Sequence, residues 1–238
     1  MRFKLIISYL IKFTVNCLML LSAINSYANN RPGFVCGKFN GNIVEVPRNY
    51  VDFIAEYEGY SYFDRRAVNN KTGCNANFTV LPLRMTWPEM KPVDRMGLDK
   101  NIEEIKIAVK PMTNNTATMN KLRDNSINND FFGKRSNVYY DDELDLYFVE
   151  YLRENAITYK GKNYQDKTRV YWSENKNEVI SVIKCHWLTL KGGYNRCDIN
   201  GRIPEINAYF QIDINWNKIH QWENILLKSK GFVITQLK

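Results

Sequence analysis

The chain has 238 residues and a formal net charge of +8, with 13% aromatic residues and only two histidines. Its first 28 residues carry Arg2, Lys4 and Lys12, then an apolar run over residues 13–24, then Ser26-Tyr27-Ala28, the layout of a cleaved secretion signal. Without that segment 210 residues and a charge of +5 are left, which is ordinary solubility and gives no reason to invoke nucleic acid. The apolar run is shorter than the roughly 20 residues a spanning helix needs, so stable membrane insertion is not expected. Cys17 lacks the small residue that precedes a lipid-modified cysteine. A periplasmic location follows as the expectation.

Four cysteines remain, Cys36, Cys74, Cys185 and Cys197, an even number in a compartment that permits oxidation. Of the three possible pairings, the spacing favours the two local ones, Cys36 with Cys74 and Cys185 with Cys197. No two cysteines have the two-to-four-residue spacing of a structural zinc site, so neither a metal nor another cofactor is expected.

In chain order, residues 34–39 and 43–47 flank Asn40-Gly41-Asn42 and predict a hairpin. Residues 48–74 are rich in Tyr, Asn and charge without a period, which predicts an irregular region tethered by a disulfide. Residues 78–87, interrupted by Pro82, predict an edge strand, because proline has no N–H for the ladder. Ile105, Ile107 and Val109 alternate with polar neighbours as in a half-buried strand. Residues 111–137 turn polar and Asn-rich and read as a linker or loop, which sets a division into parts 29–110 and 138–238. Further strands are predicted over 139–152, 157–164, 168–172 and 178–188, the last with Val179, Ser181, Ile183, Cys185 and Trp187 on one face. Gly192-Gly193 marks a turn, after which residues 203–214 alternate as one long strand, expected to pair antiparallel with 179–188 so that the two cysteines lie near the connecting loop. Asn215 then caps a helix with Trp216, Ile219, Trp222, Ile225 and Leu226 on one face, ending in Lys228, Lys230 and Gly231. The fold class is α+β, a mainly antiparallel sheet with a C-terminal helix packed on it, stapled by disulfides.

No nucleophile motif, metal-binding motif or phosphate-binding glycine loop occurs. His186 and His220 both fall on solvent faces of their elements. The acidic run Asp141, Asp142, Glu143 and Asp145 reads as a solvated strand edge, with a basic partner as a second reading. Asp142 with Glu104 is the carboxylate pair that a glycan hydrolase would need, and a non-catalytic envelope-binding module is a third possibility. Fifteen tyrosines invite a recognition surface, and Tyr57, Tyr60 and Tyr62, with Tyr50 and Phe63, form the cluster expected to be exposed. Partner contact is assigned to Tyr57, Tyr60, Tyr62, Asp141, Asp142 and Glu143, and no catalytic residue is assigned.

The run of a strand ending in Cys185, a turn, Cys197, the strand 203–214, a helix with Trp222 and the tail Phe232-Val233-Ile234 resembles the periplasmic immunity proteins of type VI secretion systems, notably those that neutralise phospholipase effectors. The hairpin from Cys36-Gly37 to Val46-Pro47 is similar to the opening of that group. The resemblance covers about a third of the chain beyond the signal segment, and it departs from the group at Lys191-Gly192-Gly193-Tyr194-Asn195-Arg196, where Pro-rich spacing is common. It implies a binding protein whose partner is a cognate secreted effector enzyme of the lipase, amidase or muramidase class. It carries over no contact residues.

Overall fold

A computed structural model describes residues 31–93, 103–112, 119–128, 133–188 and 192–238. The secretion-signal segment lies outside these residues. Two strands, β1 (Phe34–Phe39) and β2 (Asn42–Pro47), form the expected hairpin, turning through Asn40 and Gly41, both at positive φ. That is the conformation an Asn-Gly pair adopts most readily.

The main sheet among the described residues contains β3 (Glu56–Tyr57), β4 (Phe78–Thr86), β5 (Glu104–Pro111), β6 (Lys134–Arg135), β7 (Tyr139–Asp141), β8 (Leu146–Tyr159), β9 (Lys162–Asn175), β10 (Glu178–Leu188), β11 (Gly193–Ile203) and β12 (Ala208–Asn215). Its order is β3-β4-β5-β12-β11-β10-β9-β8-β6, with β7 beside β8, and every pairing is antiparallel. Pro82 accepts from the Asp52 amide on the side away from β5. In an antiparallel strand a residue's N and C=O face the same side, so the missing N–H falls on the side away from β5. Strand β4 is not the outermost strand that the sequence reading expects, because the two residues of β3 pair with it at Phe78 and Val80.

Alternation sorts the strands into two faces. The inner face carries Leu81, Leu83 and Met85 of β4, Ile105, Ile107 and Val109 of β5, Phe210, Ile212 and Ile214 of β12, Cys197 and Ile199 of β11, Ile183 and Cys185 of β10, and Tyr171 of β9, all buried. A 3-10 turn, Trp216–Gln221, leads into helix α2 (Trp222–Ile234), which covers this face with Ile225, Leu226 and Val233. The helix is seated over Gly201, where an added Cβ would come within 2.8 Å of Leu226 and 2.9 Å of Phe210. Trp222 donates from Nε1 to the Leu144 carbonyl at 3.0 Å, which fixes the β7–β8 turn to the helix.

Several details differ from the sequence reading. The strands expected over 139–152, 157–164 and 168–172 are β7, β8 and β9, and the expected 157–164 contains the β8–β9 turn at Lys160-Gly161, both at positive φ. Residues 111–137 contain helix α1 (Met119–Ile127), whose Met119 and Leu122 pack on Val149, Tyr151, Val170, Trp172 and Val182 of the outer face. The mean hydropathy of this stretch hid a helix that is held by a few apolar contacts. Strand β11 intervenes between β10 and β12, so Cys197 stands directly opposite Cys185 in mid-ladder rather than near a loop. A bulge between Val179 and Ser181 turns Val179 away from Ser181 and onto the α1 face. Asn215 makes no side-chain cap, and α2 runs through Gly231, because Val233 is buried and Phe232 stacks on Tyr50 at 4.8 Å.

The hairpin is bound to the body at both ends. Cys36 is joined to Cys74 and Cys185 to Cys197. Lys38 accepts no slack against β4, its amide donating to Ala76, while Glu45 and Lys238 donate amides to Gln236 and Ile43 in the opposite flank. The buried carboxylate of Glu45 holds Lys238 at 2.6 Å and Arg31 at 3.6 Å. At Gly37 an added Cβ would stand 2.5 Å from the ring of fully buried Phe78. Overpacking of this kind costs about 1 to 3 kcal/mol. Gly37→Ala is therefore expected to lower unfolding stability by that amount, read by urea titration with both disulfides intact.

Candidate functional site

Among the described residues the most exposed large apolar side chains lie in the segment between β2 and β4. Phe63 is 91% exposed, Val68 87% and Phe53 63%, with Tyr60 and Tyr62 also open to solvent. These rings form a chain, Phe53 edge-on to Tyr62 at 5.8 Å and Tyr62 edge-on to Phe63 at 5.6 Å. Phe53 has φ 59°, a left-handed conformation that a bulky side chain adopts at a cost of about 1 to 3 kcal/mol. Its carbonyl is held by Arg48 Nη2 at 2.9 Å.

The loop is braced from inside. The Asn70 side chain accepts from the Tyr60 amide at 2.8 Å and donates to the Tyr60 carbonyl at 2.7 Å. Asp64 caps the following 3-10 turn through the Arg66 amide and also binds the Arg66 guanidinium, which lies 4.2 Å over the Tyr60 ring. These bonds hold the partly exposed Asp64 carboxyl below its ordinary range. Cys74 closes the segment onto β1. Beneath it lies a groove of about 490 Å³ lined by Ile54, Ala55, Tyr57, Tyr60, Tyr62 and Thr79 among others.

Tyr57, Tyr60 and Tyr62 thus meet at one groove, in unequal roles. Tyr57 is half-buried, stacked on Phe78 at 5.0 Å, and donates its hydroxyl to the Cys36 carbonyl at 2.8 Å, so it is a wall of the groove. Burial pushes its hydroxyl pKa up. The acidic residues belong elsewhere, at the turn between β7 and β8, rather than along a strand edge. Asp141 accepts from the Leu144 amide at 3.2 Å and shapes that turn, Asp145 binds the Tyr140 hydroxyl and pushes its pKa up to about 12, and Asp142 and Glu143 are exposed. The tyrosine groove lies at β3 and β4 and the acidic turn at β7 and β8, toward opposite ends of the sheet order. Glu104 is bound by Arg84 through two hydrogen bonds of 2.7 and 2.9 Å on β4 and β5, so it does not face Asp142 across a cleft. His186 and His220 are exposed, His186 lying 3.6 Å from Asp198.

One constellation escaped the sequence reading. On the inner face, past the end of α2, Arg169 binds Glu150 at 2.7 Å and the Tyr171 hydroxyl at 3.0 Å, while the Tyr194 hydroxyl donates to the same Glu150 oxygen at 2.7 Å. Phe148 lies 4.7 Å from the guanidinium, and Tyr194 is flanked by Trp216 at 4.8 Å and Trp187 at 5.2 Å. Burial opposes the ionised Glu150, yet these bonds hold its carboxyl below the ordinary range. The clue was available in the inward phase of β8 and β9, where Glu150 and Arg169 take positions alternation assigns to the core.

No protein-family model matches the sequence, and no curated protein matches it. Among solved structures the chain is similar to an immunity protein of the Stenotrophomonas maltophilia type IV secretion system, at 13% identity and a TM-score of 0.55, over 88% of this chain and 98% of that one. The likeness is one of fold.

Two outcomes are expected from this geometry. Asn70→Ala removes both braces of the Tyr60 backbone, so limited proteolysis should cut within residues 58–70 several-fold faster while the global unfolding midpoint moves little. Because the folded Glu150 pKa is lowered, its stabilising contribution is present above the unfolded value and fades as pH falls through the folded one. Glu150→Gln should flatten that acid limb in urea unfolding across pH 2 to 6.

Proposed function

We propose that this protein is an immunity protein that binds a secreted antibacterial effector enzyme in the periplasm and neutralises it by covering the effector's active site or substrate approach. The observation that carries the reading is the braced aromatic loop, Phe53 through Val68, standing open on a disulfide-stapled scaffold whose fold resembles that of an immunity protein. An inhibitor that must act on contact gains affinity from anchors that are already ordered, since the ordering cost has been met during folding. Phe63, Tyr62 and Phe53 are such anchors, and the neighbouring groove receives a side chain in return. Aromatic residues in a water-excluding rim are the pattern of energetic centres at protein interfaces. The leader-like residues 1–28 and the oxidised cysteines support export.

The sequence resemblance points to a type VI system and a phospholipase target, whereas the structural neighbour serves a type IV system. What the two share is the description as an immunity protein, and the proposal rests on that. The test is capture from the native bacterium with purified, oxidised protein spanning residues 29–238, alongside Phe63→Ala and Tyr62→Ala variants. Recovery of one secreted lipase, amidase or muramidase at near-equal amount, lost at least about 10-fold in the variants, is the expected result. Recovery of no such enzyme from cells that produce their effectors would overturn the reading.

A further inference from the structure

A second surface lies on the inner face of the sheet, at the end that α2 leaves open. Register places Lys134 of β6 opposite Leu152 of β8, and Leu152 opposite Lys167 of β9. The Lys167 ammonium lies 5.0 Å over the Trp187 ring of β10, which meets Tyr194 of β11, which meets Trp216. Five strands about 4.8 Å apart make this row about 20 Å long, the span of an extended segment of about six residues. Lys134 is exposed, and Leu152, Lys167, Trp187, Tyr194 and Trp216 are half-buried.

The charge of the row is unbalanced in a specific way. Glu150, the acidic group next to it on this face, is committed to Arg169 and Tyr194. Among the described residues neither Lys134 nor Lys167 has a carboxylate within ion-pair distance, although ten other lysine and arginine side chains, from Arg31 to Lys238, do. Lysine cations over and beside an aromatic strip, with their own acid withdrawn, match a partner that supplies carboxylates together with apolar or aromatic side chains. Single-stranded nucleic acid also seeks basic aromatic surfaces, but it needs free ring faces for its bases to stack on. Here Lys167 lies over Trp187, and Tyr194 lies against Trp216 at an interplanar angle of 34°.

The geometry points to the row Lys134, Leu152, Lys167, Trp187, Tyr194 and Trp216 as a docking surface for an acidic, aromatic-containing peptide segment of a protein partner. It deepens the immunity reading and rests on it, giving the effector a second point of attachment away from the aromatic loop. Rim lysines steer an acidic partner and set salt dependence, while the tryptophans and the rigid Arg169–Glu150 pair beneath give the patch a fixed shape.

The probe is a synthetic peptide of about eight residues alternating glutamate and tyrosine, titrated into the full oxidised protein while tryptophan emission is followed. Binding is expected to shift the emission, to weaken as salt is raised, and to weaken at least about 10-fold in Lys134→Glu/Lys167→Glu. Trp187→Leu should lose most of the emission change, with near-ultraviolet circular dichroism reporting whether each variant keeps its fold. A lysine–tyrosine peptide and an oligothymidine of matching length should not bind. Equal affinity of the glutamate–tyrosine peptide for wild type and the folded charge-reversed variant would overturn the assignment, as would no binding at low salt or preference for the oligothymidine. None of these results bears on capture through Phe63 and Tyr62, so failure here and failure of the immunity reading are separate observations.

Discussion

The constraint that organises this molecule is the mismatch between one short helix and one wide sheet. Helix α2 has thirteen residues and is therefore about 20 Å long, whereas the sheet order from β3 to β6 spans nine strand positions, about 40 Å. A single helix of that length buries the inner face over roughly half the strands. Its Leu226 stands over Gly201 of β11 beside Phe210 of β12, and the inner surface away from that contact is closed by other means. At one end the β1–β2 hairpin, tied by Cys36–Cys74 and by the C-terminal residues, covers β4. At the other end Leu144 plugs the gap against Trp222, and beyond it the apolar row gives way to the Glu150–Arg169–Tyr194 network. Both candidate surfaces arise at these two margins, where the packing is finished by loops and polar groups rather than by the helix.

Elements whose side chains repeat with a clean period were legible in the sequence. The alternation of Ile105, Ile107 and Val109, the run from Ala208 to Ile214, the Asn40-Gly41 turn and the facing of Pro82 away from β5 each follow from a local rule that tertiary contacts do not override. Pairing order was harder, because β11 reads as Gly-Tyr-Asn-Arg-Cys-Asp-Ile-Asn-Gly-Arg-Ile, with few apolar side chains and two glycines. Its inward phase is filled by Cys197, Ile199 and Gly201, and Gly201 is small because α2 passes over it. Helix α1 was hidden for a related reason, since only Met119, Leu122 and Ile127 of its nine residues pack apolar side chains on the sheet, while Asn120, Arg123 and Ser126 meet it through polar bonds. The exposure of Tyr60, Tyr62 and Phe63 was legible because their segment carries neither a strand nor a helix period. The position of the acidic run was not, because whether Asp141 to Asp145 continue a strand or turn between two depends on Leu144 docking beneath Trp222.

The two surfaces differ in how they would hold a partner. The loop from Phe53 to Val68 offers exposed rings set among Glu56, Glu58, Asp64, Arg65 and Arg66, charges of both signs, and its order comes from Asn70, Asp64 and the disulfide beneath it. The rings of such a surface gain affinity from desolvation. The row from Lys134 to Trp216 is flatter and cationic, so its contribution would appear in association rate and partner selection. A protein that must find an incoming enzyme quickly and then retain it has use for both.

The internal ion pair explains why the second surface can stay charged without destabilising the fold. A guanidinium placed among Phe148, Tyr171 and Tyr194 would be costly if unpaired, because burial penalises the charge and no water replaces its hydrogen bonds. Glu150 meets that need together with the Tyr171 hydroxyl, accepting from Arg169 Nε and Nη2 while Nη1 binds Tyr171, and its remaining bond is taken by Tyr194. Neighbouring Cys185 and Cys197, opposite one another and fully buried, keep water from reaching the pair from the core side. A neutral pair locked in place beneath free lysines is thus the arrangement in which the carboxylate that would otherwise neutralise the surface is spent on the fold, and the surface charge remains for a partner to satisfy.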